Sequence, residues 1–223
     1  MGRIMKLFII ILLNLLSFNV LASETQVTFG EIQITFGEIQ VTLGERKVLL
    51  KSGSFELDYF PDEKVSVLSK RPDFRMIVTA GVRSYLLQGK DIEHITGAKL
   101  SLSPGKAGSF DNGYAGISGT YYHRDKKWYA IYHAEDQEQM PKLASGVNGF
   151  YARIGMAVSA DDGNNWEKIG PIISSFKPKE WAIHDRQADR GAAVPCLVQE
   201  KNGRFLYIYS LLSKIAEKPI SIL

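Results

Sequence analysis

The eight residues from Ser159 to Trp166 read Ser-Ala-Asp-Asp-Gly-Asn-Asn-Trp, a turn former at almost every step. They follow the strand-like run Phe150 to Ser159 and precede a short apolar segment ending at Ile169. An Asp side chain can accept hydrogen bonds from backbone N–H groups inside such a turn, and Gly supplies the positive φ it needs. Trp166 adds an apolar face that must be buried. The segment therefore predicts a tight hairpin between two antiparallel strands, closed by its own side chains and packed onto a neighbouring layer.

The frame of this hairpin recurs. Gly89-Lys90-Asp91-Ile92-Glu93-His94-Ile95 matches Gly163-Asn164-Asn165-Trp166-Glu167-Lys168-Ile169 at an offset of 74 residues. The runs Arg75 to Thr79 and Arg153 to Ser159 are both strand-like. Arg124 to Tyr132 corresponds to Lys201 to Tyr209, a polar turn followed by an aromatic strand, at an offset of 77. One unit of about 75 residues with four strand candidates thus repeats, which is the anatomy of a propeller blade. In the full unit the strands are expected at Gly116–Tyr122, Trp128–His133, Phe150–Ser159 and Trp166–Ile169. Residues 71–102 read as the back half of an earlier unit, and Gly191–Gln199 with Phe205–Leu212 as the start of the next. The fold class expected is all-β, a partial β-propeller of about two to three blades. A ring so short leaves sheet edges bare, so the chain reads as the front part of a longer propeller.

Residues 1–22 read as a signal peptide. Arg3 and Lys6 form its basic start, Leu7 to Leu21 its apolar run, and Val20 and Ala22 a small-residue cleavage site before Ser23. The run is interrupted by Asn14, Ser17 and Asn19 and falls short of the roughly 20 apolar residues of a membrane span. The expected location is the periplasm or the medium, with no membrane attachment after cleavage. Residues 23–46 carry a heptad-length repeat, Gln-Val/Ile-Thr-Phe/Leu-Gly-Glu. Its Gly residues and β-branched alternation argue for extended structure over coiled coil. Residues 47–223 form the expected propeller domain. The net charge of +3 falls close to neutral without Arg3 and Lys6, and no cluster of Lys and Arg suggests nucleic-acid binding. The one cysteine, Cys196, lies in an apolar run and reads as a small core residue; no Cys/His spacing suggests zinc, and no metal or cofactor is expected.

The Ser-x-Asp-x-Gly-x-x-Trp spacing at 159–166 resembles the Asp box of sialidases and related glycoside hydrolases. Together with the repeated Gly-aromatic strands, the resemblance covers roughly 71–213 and points to five-bladed propeller glycosidases and exported proteins related to them. In that group the box lies on outer blade turns, so its role here is expected to be structural.

The resemblance implies carboxylates near the inner strands of a central funnel, two of them flanking a scissile glycosidic bond as acid and base or nucleophile. Asp111 and Asp189 precede successive inner strands and are expected to face one axis as base or orienting group. Glu135 is the candidate acid, with Asp136 as its like-charged neighbour. His133, His184 and Arg190 are candidates for binding sugar hydroxyls or an acidic sugar, and Tyr114 and Trp181, expected in loops, for stacking on sugar rings. Each has a plainer reading as turn cap, solvated loop or core packing. The implied partner is a carbohydrate and the implied chemistry glycosidic hydrolysis, weak or nil if blades are missing. The alternative is a non-catalytic exported module that binds glycan or protein.

Overall fold

The computed structural model describes residues 32–36, 39–43, 48–51, 53–57, 61–70, 72–199 and 205–212. The chain divides into two units, Met1–Val48 and Leu49–Leu223. The segment read as a signal peptide lies outside the described residues. In the first unit, β1 (Ile32–Phe36) and β2 (Ile39–Leu43) pair antiparallel, with Ile32 opposite Leu43 and Phe36 opposite Ile39. The heptad repeat thus folds one copy against the next as a hairpin.

The second unit is built from β-meanders. The first comprises β3 (Ser66–Ser69), β4 (Phe74–Ala80), β5 (Arg83–Gly89) and β6 (Ile95–Leu102), paired in chain order. The second comprises β7 (Tyr114–Tyr122), β8 (Trp128–Asp136), β9 (Phe150–Ser159) and β10 (Glu167–Ile173). A six-residue helix, α1 (Lys179–His184), leads to the antiparallel pair β11 (Asp189–Gln199) and β12 (Phe205–Leu212). Because β11 also pairs with β9, β7–β12 form one six-stranded sheet beside the four-stranded β3–β6; the layout is a partial β-propeller, two four-stranded blades with β11 and β12 as the opening strands of a third.

Strands in the middle of such a stack are buried on both faces, and their composition shows it. β4 reads Phe-Arg-Met-Ile-Val-Thr-Ala, and all of it except Arg75 is buried. Because side chains alternate across a strand, Ile77 turns one way and Met76 and Val78 the other. Ile77, Leu86 and Leu102 meet Ile117, Tyr132, Ala157 and Trp166 in the seam between the first two blades. Met76, Val78 and Leu87 pack with Leu57 and Phe74 on the far side of the first blade. Ile131 and Ile154 pack with Ala192 toward β11. Each fully buried Ile or Leu in these layers contributes about 1.5–3 kcal/mol.

The third blade joins the second at a fork. β10 pairs with residues Ile154 to Val158 of β9, while the start of β11 runs parallel to Phe150, Tyr151 and Ala152 on the same strand. The approach is so close that a Cβ on Gly191 would lie 2.0 Å from the Ala152 carbonyl oxygen, and Gly191 has φ +112°. Farther along, the β11–β12 register shifts between Ala193 and Cys196, with Val194 at φ 50°. Cys196 is free and only partly buried, rather than the core residue expected.

The hairpin at 159–166 closes on itself as its sequence requires. Asp161 Oδ1 accepts from the Asn165 N–H at 2.9 Å and from the Ser159 hydroxyl at 2.8 Å, and Ser159 Oγ accepts from the Gly163 N–H at 2.8 Å. Gly163 has φ +81°, and a Cβ there would strike Leu68 Cδ1 at 2.5 Å. Its carbonyl accepts from the Ser101 hydroxyl at 2.6 Å, so the turn of the second blade is tied to the first.

The structure revises the repeat in two respects. The repeat read at residues 71–102 is a complete blade rather than a back half, because β3 supplies its inner strand. The run at Arg75 belongs to a second strand, β4, whereas the run at Arg153 belongs to a third, β9. The two matched turns do both link third to fourth strands, but their side chains align differently from their letters. Asp91 Oδ1 accepts from the Glu93 N–H at 3.0 Å and so plays the part of Asp161, four residues out of the sequence match.

Burial pushes the Asp161 carboxyl up, but the Asn165 side chain and N–H, the Ser159 hydroxyl and the Lys99 charge hold it below the usual carboxylate value. A depressed folded value means stability that is present above the unfolded pKa of about 4 and lost as pH falls through the folded one. Asp161→Ala is expected to lower stability at neutral pH by on the order of 1 kcal/mol. In urea unfolding followed from pH 7 down to pH 2, the gap between wild type and variant should close only below about pH 4. A gap that persists at the acid end would contradict this account.

Candidate functional site

The inner strands of three successive blades are neighbours, with β7 touching both β3 and β11. Near the start of these strands lies a compact array of Glu63, Tyr114, His133 and Glu135. Glu63 comes from the segment just before β3, Tyr114 begins β7, and His133 and Glu135 share one face near the end of β8.

His133 is the centre. Its Nδ1 accepts from the Val194 N–H at 3.1 Å, which in the neutral ring places the proton on Nε2. That N–H is free for the purpose because β11 bulges at Val194. Nδ1 also faces Glu63 Oε1 at 3.6 Å, and Nε2 faces Glu135 Oε1 at 3.3 Å. The Nε2 contact is not aligned as a hydrogen bond, leaving a buried donor without a hydrogen-bond partner. Such a group costs about 1–3 kcal/mol. The histidine side chain is 8 % exposed and those of Glu63 and Glu135 are 7 % and 14 %.

Each carboxylate is also held from behind. Ser118 donates its hydroxyl to Glu63 Oε2 at 2.6 Å, and Gln137 donates Nε2 to Glu135 Oε2 at 3.0 Å. Tyr114 stands edge-on to His133 with ring centroids 5.3 Å apart. Burial pushes the Tyr114 phenol well above its usual value, and the charges of Glu63 and Asp62, a hydrogen bond to Asp62 and the charge of Glu135 push it further. It therefore stays a neutral hydroxyl. The tyrosine fits because residue 116 has no side chain; a Cβ on Gly116 would lie 2.5 Å from the ring and 2.9 Å from Glu63 Cγ.

Of the eight candidates read from the sequence, the array gathers Tyr114, His133 and Glu135. Tyr114 is a buried strand residue rather than a loop platform. Asp136 does not face Glu135, because consecutive strand residues point to opposite sides. It is bound instead by Lys179 Nζ and Asn112 Nδ2, each at 2.7 Å, with Arg153 at 3.8 Å.

Asp111 is 1 % exposed and lies away from the array. Its Oδ2 meets Lys168 Nζ of β10 at 2.5 Å and accepts from the Tyr132 hydroxyl at 3.2 Å. Burial, then the Asp111 charge and this hydrogen bond, raise the Tyr132 phenol above its usual value. Asp111 thus ties the loop before β7 to the second and fourth strands of its blade. Asp189 has a half-exposed side chain paired with Arg190 at 3.1 Å. The Arg190 guanidinium also donates to the Asp189 carbonyl and to Gln187.

Trp181 lies on α1 rather than in a loop. It packs beside Tyr151, Met140 and Ala182, and Lys177 Nζ sits 4.3 Å from its ring centre. His184 is exposed and paired with Asp185 at 2.9 Å.

Glu63 escaped the sequence reading. It sits in Asp62-Glu63-Lys64, a charged run with the look of a solvated loop. Its position just ahead of an inner strand is the one signal that could have marked it. Among the described residues, no group of three or more His, Cys, Asp or Glu has a metal-holding arrangement.

Among solved structures the chain is similar to an α-L-arabinofuranosidase from Lactobacillus brevis. The TM-score is 0.48 and the identity 9 %, over 73 % of this chain and 49 % of that one. The chain thus spans about half the length of that protein. No family model and no curated protein matches it.

The two aspartates expected to act together have different work here, and their substitutions separate it. Asp111→Ala leaves the Tyr132 hydroxyl and the partly buried Lys168 amine without their acceptor and should cost about 2–3 kcal/mol. Asp189→Ala removes a half-exposed carboxylate, and its buried partner Arg190 keeps the Asp189 carbonyl and Gln187 as acceptors, so the cost should stay below about 1 kcal/mol. Urea denaturation midpoints measure both, and equal losses would refute the distinction.

Proposed function

We propose that this chain is an exported carbohydrate-active protein of glycoside hydrolase type, with Glu63 and Glu135 as its paired carboxylates. The observation that carries this reading is that two largely buried carboxylates from different blades face the two nitrogens of one histidine. Their positions on either side of an imidazole leave the carboxyl groups no more than about 9 Å apart, within the spread used to cleave glycosidic bonds. Glu135 serves as the acid, held in place by Gln137 and faced by the Nε2 side of His133. Glu63 serves as base or nucleophile, oriented by Ser118. His133 is a positioning residue between them, and the neutral Tyr114 hydroxyl, which donates its hydrogen bond to Asp62, accepts from a sugar hydroxyl. The export half of the proposal rests on the signal pattern of residues 1–22, and the carbohydrate half also on the resemblance of the 159–166 turn to an Asp box.

A panel of 4-nitrophenyl glycosides, assayed with the purified chain, tests the catalytic reading. Glu135→Gln and Glu63→Gln are each expected to lower kcat by about 10²–10⁴-fold while the thermal midpoint moves little. Turnover unaffected by both substitutions would remove the carboxylates from the chemistry.

A non-catalytic glycan-binding module is the second reading, favoured by the depth of the array, whose histidine and two glutamates are all at most 14 % exposed in their side chains. Glycan-array binding without any cleavage would select it. For export, mass spectrometry of the chain recovered outside the cytoplasm should find an N-terminus at Ser23; an intact N-terminus there would contradict signal cleavage.

A further inference from the structure

At the opposite end of the second blade three turns converge. They are the β3–β4 turn, the β7–β8 turn and the 159–166 turn. Eight strand steps separate Tyr114 from Tyr122, about 26 Å at the usual rise, so this place is remote from the carboxylate array. Between the turns lies a groove of about 500 Å³, lined among others by Pro72, Asp73, Arg75, Tyr122, Trp128 and Asp162. Its volume is that of a small-molecule site.

The lining is not that of a packing defect. Tyr122 is 54 % exposed, a large aromatic left in water at the end of a strand. It is the cross-strand partner of Trp128, and the two rings lie 5.2 Å apart at 55°. Trp128 packs its other side against the seam, which fixes its orientation. Trp128 in turn pairs with Ser159, so the 159–166 turn brings Asp162 beside the rings. Asp162 is 70 % exposed in its side chain and faces Arg75 NH1 at 3.7 Å. With the Gln88 amide oriented by its neighbours, its oxygen accepts from Arg75 NH2 and Nε at 3.1 and 3.2 Å, which holds the guanidinium in place.

The geometry points to a second, non-catalytic carbohydrate site in this groove, taking a neutral oligosaccharide. The C–H face of a sugar ring stacks on the Tyr122 and Trp128 rings, which offer apolar area with fixed geometry. Asp73, Asp162 and Arg75 meet the ring hydroxyls as acceptors and donor. Two carboxylates against one guanidinium disfavour an anionic ligand such as a nucleotide or a uronate. The site stands independently of the proposed hydrolytic centre, since it shares no residue with it.

The experiment is a tryptophan-fluorescence titration of the full chain with cellohexaose, xylohexaose and maltohexaose, because Trp128 lines the groove. At least one of the three is expected to give a saturable change. Tyr122→Ala should weaken that binding by about tenfold or more, with an unchanged thermal midpoint because the side chain is half in water. Glu135→Gln should bind as wild type does. The proposal falls if no hexasaccharide gives a saturable change up to about 10 mM, or if Tyr122→Ala binds equally well. It also falls if Glu135→Gln is the variant that loses binding, since the ligand would then occupy the carboxylate array. That last outcome would leave the hydrolase reading standing.

Discussion

The seam between the first two blades is the contact on which the rest of the structure depends. Ile77, Leu86 and Leu102 from one sheet meet Ile117, Tyr132 and Trp166 from the next. No single blade can bury both of its faces, so neither sheet has a complete core alone. The polar contacts at the seam are arranged to serve this burial. Ser101 reaches the Gly163 carbonyl, and Gly163 leaves room for Leu68. The turn whose letters are the most distinctive in the chain is a clasp for the seam, with the exposed Asp162 carboxylate on its outer side.

The seam also sets the distance between Glu63 and His133, which belong to different blades. A shift of one sheet past the other by a single residue would carry Glu63 about 3 Å along the histidine and break the array. The third blade contributes in the same way through the bulge at Val194, whose N–H selects the tautomer of His133. The carboxylates are therefore held by packing at a distance from them, with Ser118 and Gln137 as local supports.

Much of this fold was legible in the sequence. β9 and β12 fall at the expected residues because β-branched and aromatic runs bounded by turn formers carry their own limits. β3 was not legible, since it has only four residues and they alternate too briefly to mark a strand. The candidate site was half legible. His133 and Glu135 lie two apart on a strand, a spacing that puts both on one face. Glu63 reaches the same histidine from 70 positions earlier in the chain, and nothing local in Asp62-Glu63-Lys64 separates a buried carboxylate from a solvated one. Asp111 shows the converse. Its loop position was compatible with facing the axis, and what turns it elsewhere is Lys168, a residue of the fourth strand that no local pattern connects to it.

The array draws on three successive blades, each of which supplies a different kind of group. The first brings a carboxylate, the second a phenol, an imidazole and a second carboxylate, and the third a backbone N–H. Duplicating a blade therefore copies the scaffold but not the chemistry. Glu63 lies outside the hairpins that recur, so a further repeat would carry the turns and strands forward and leave the acid behind. Repetition in this chain is a means of building walls, and the constellation they enclose had to arise by changes that made the repeats unlike one another.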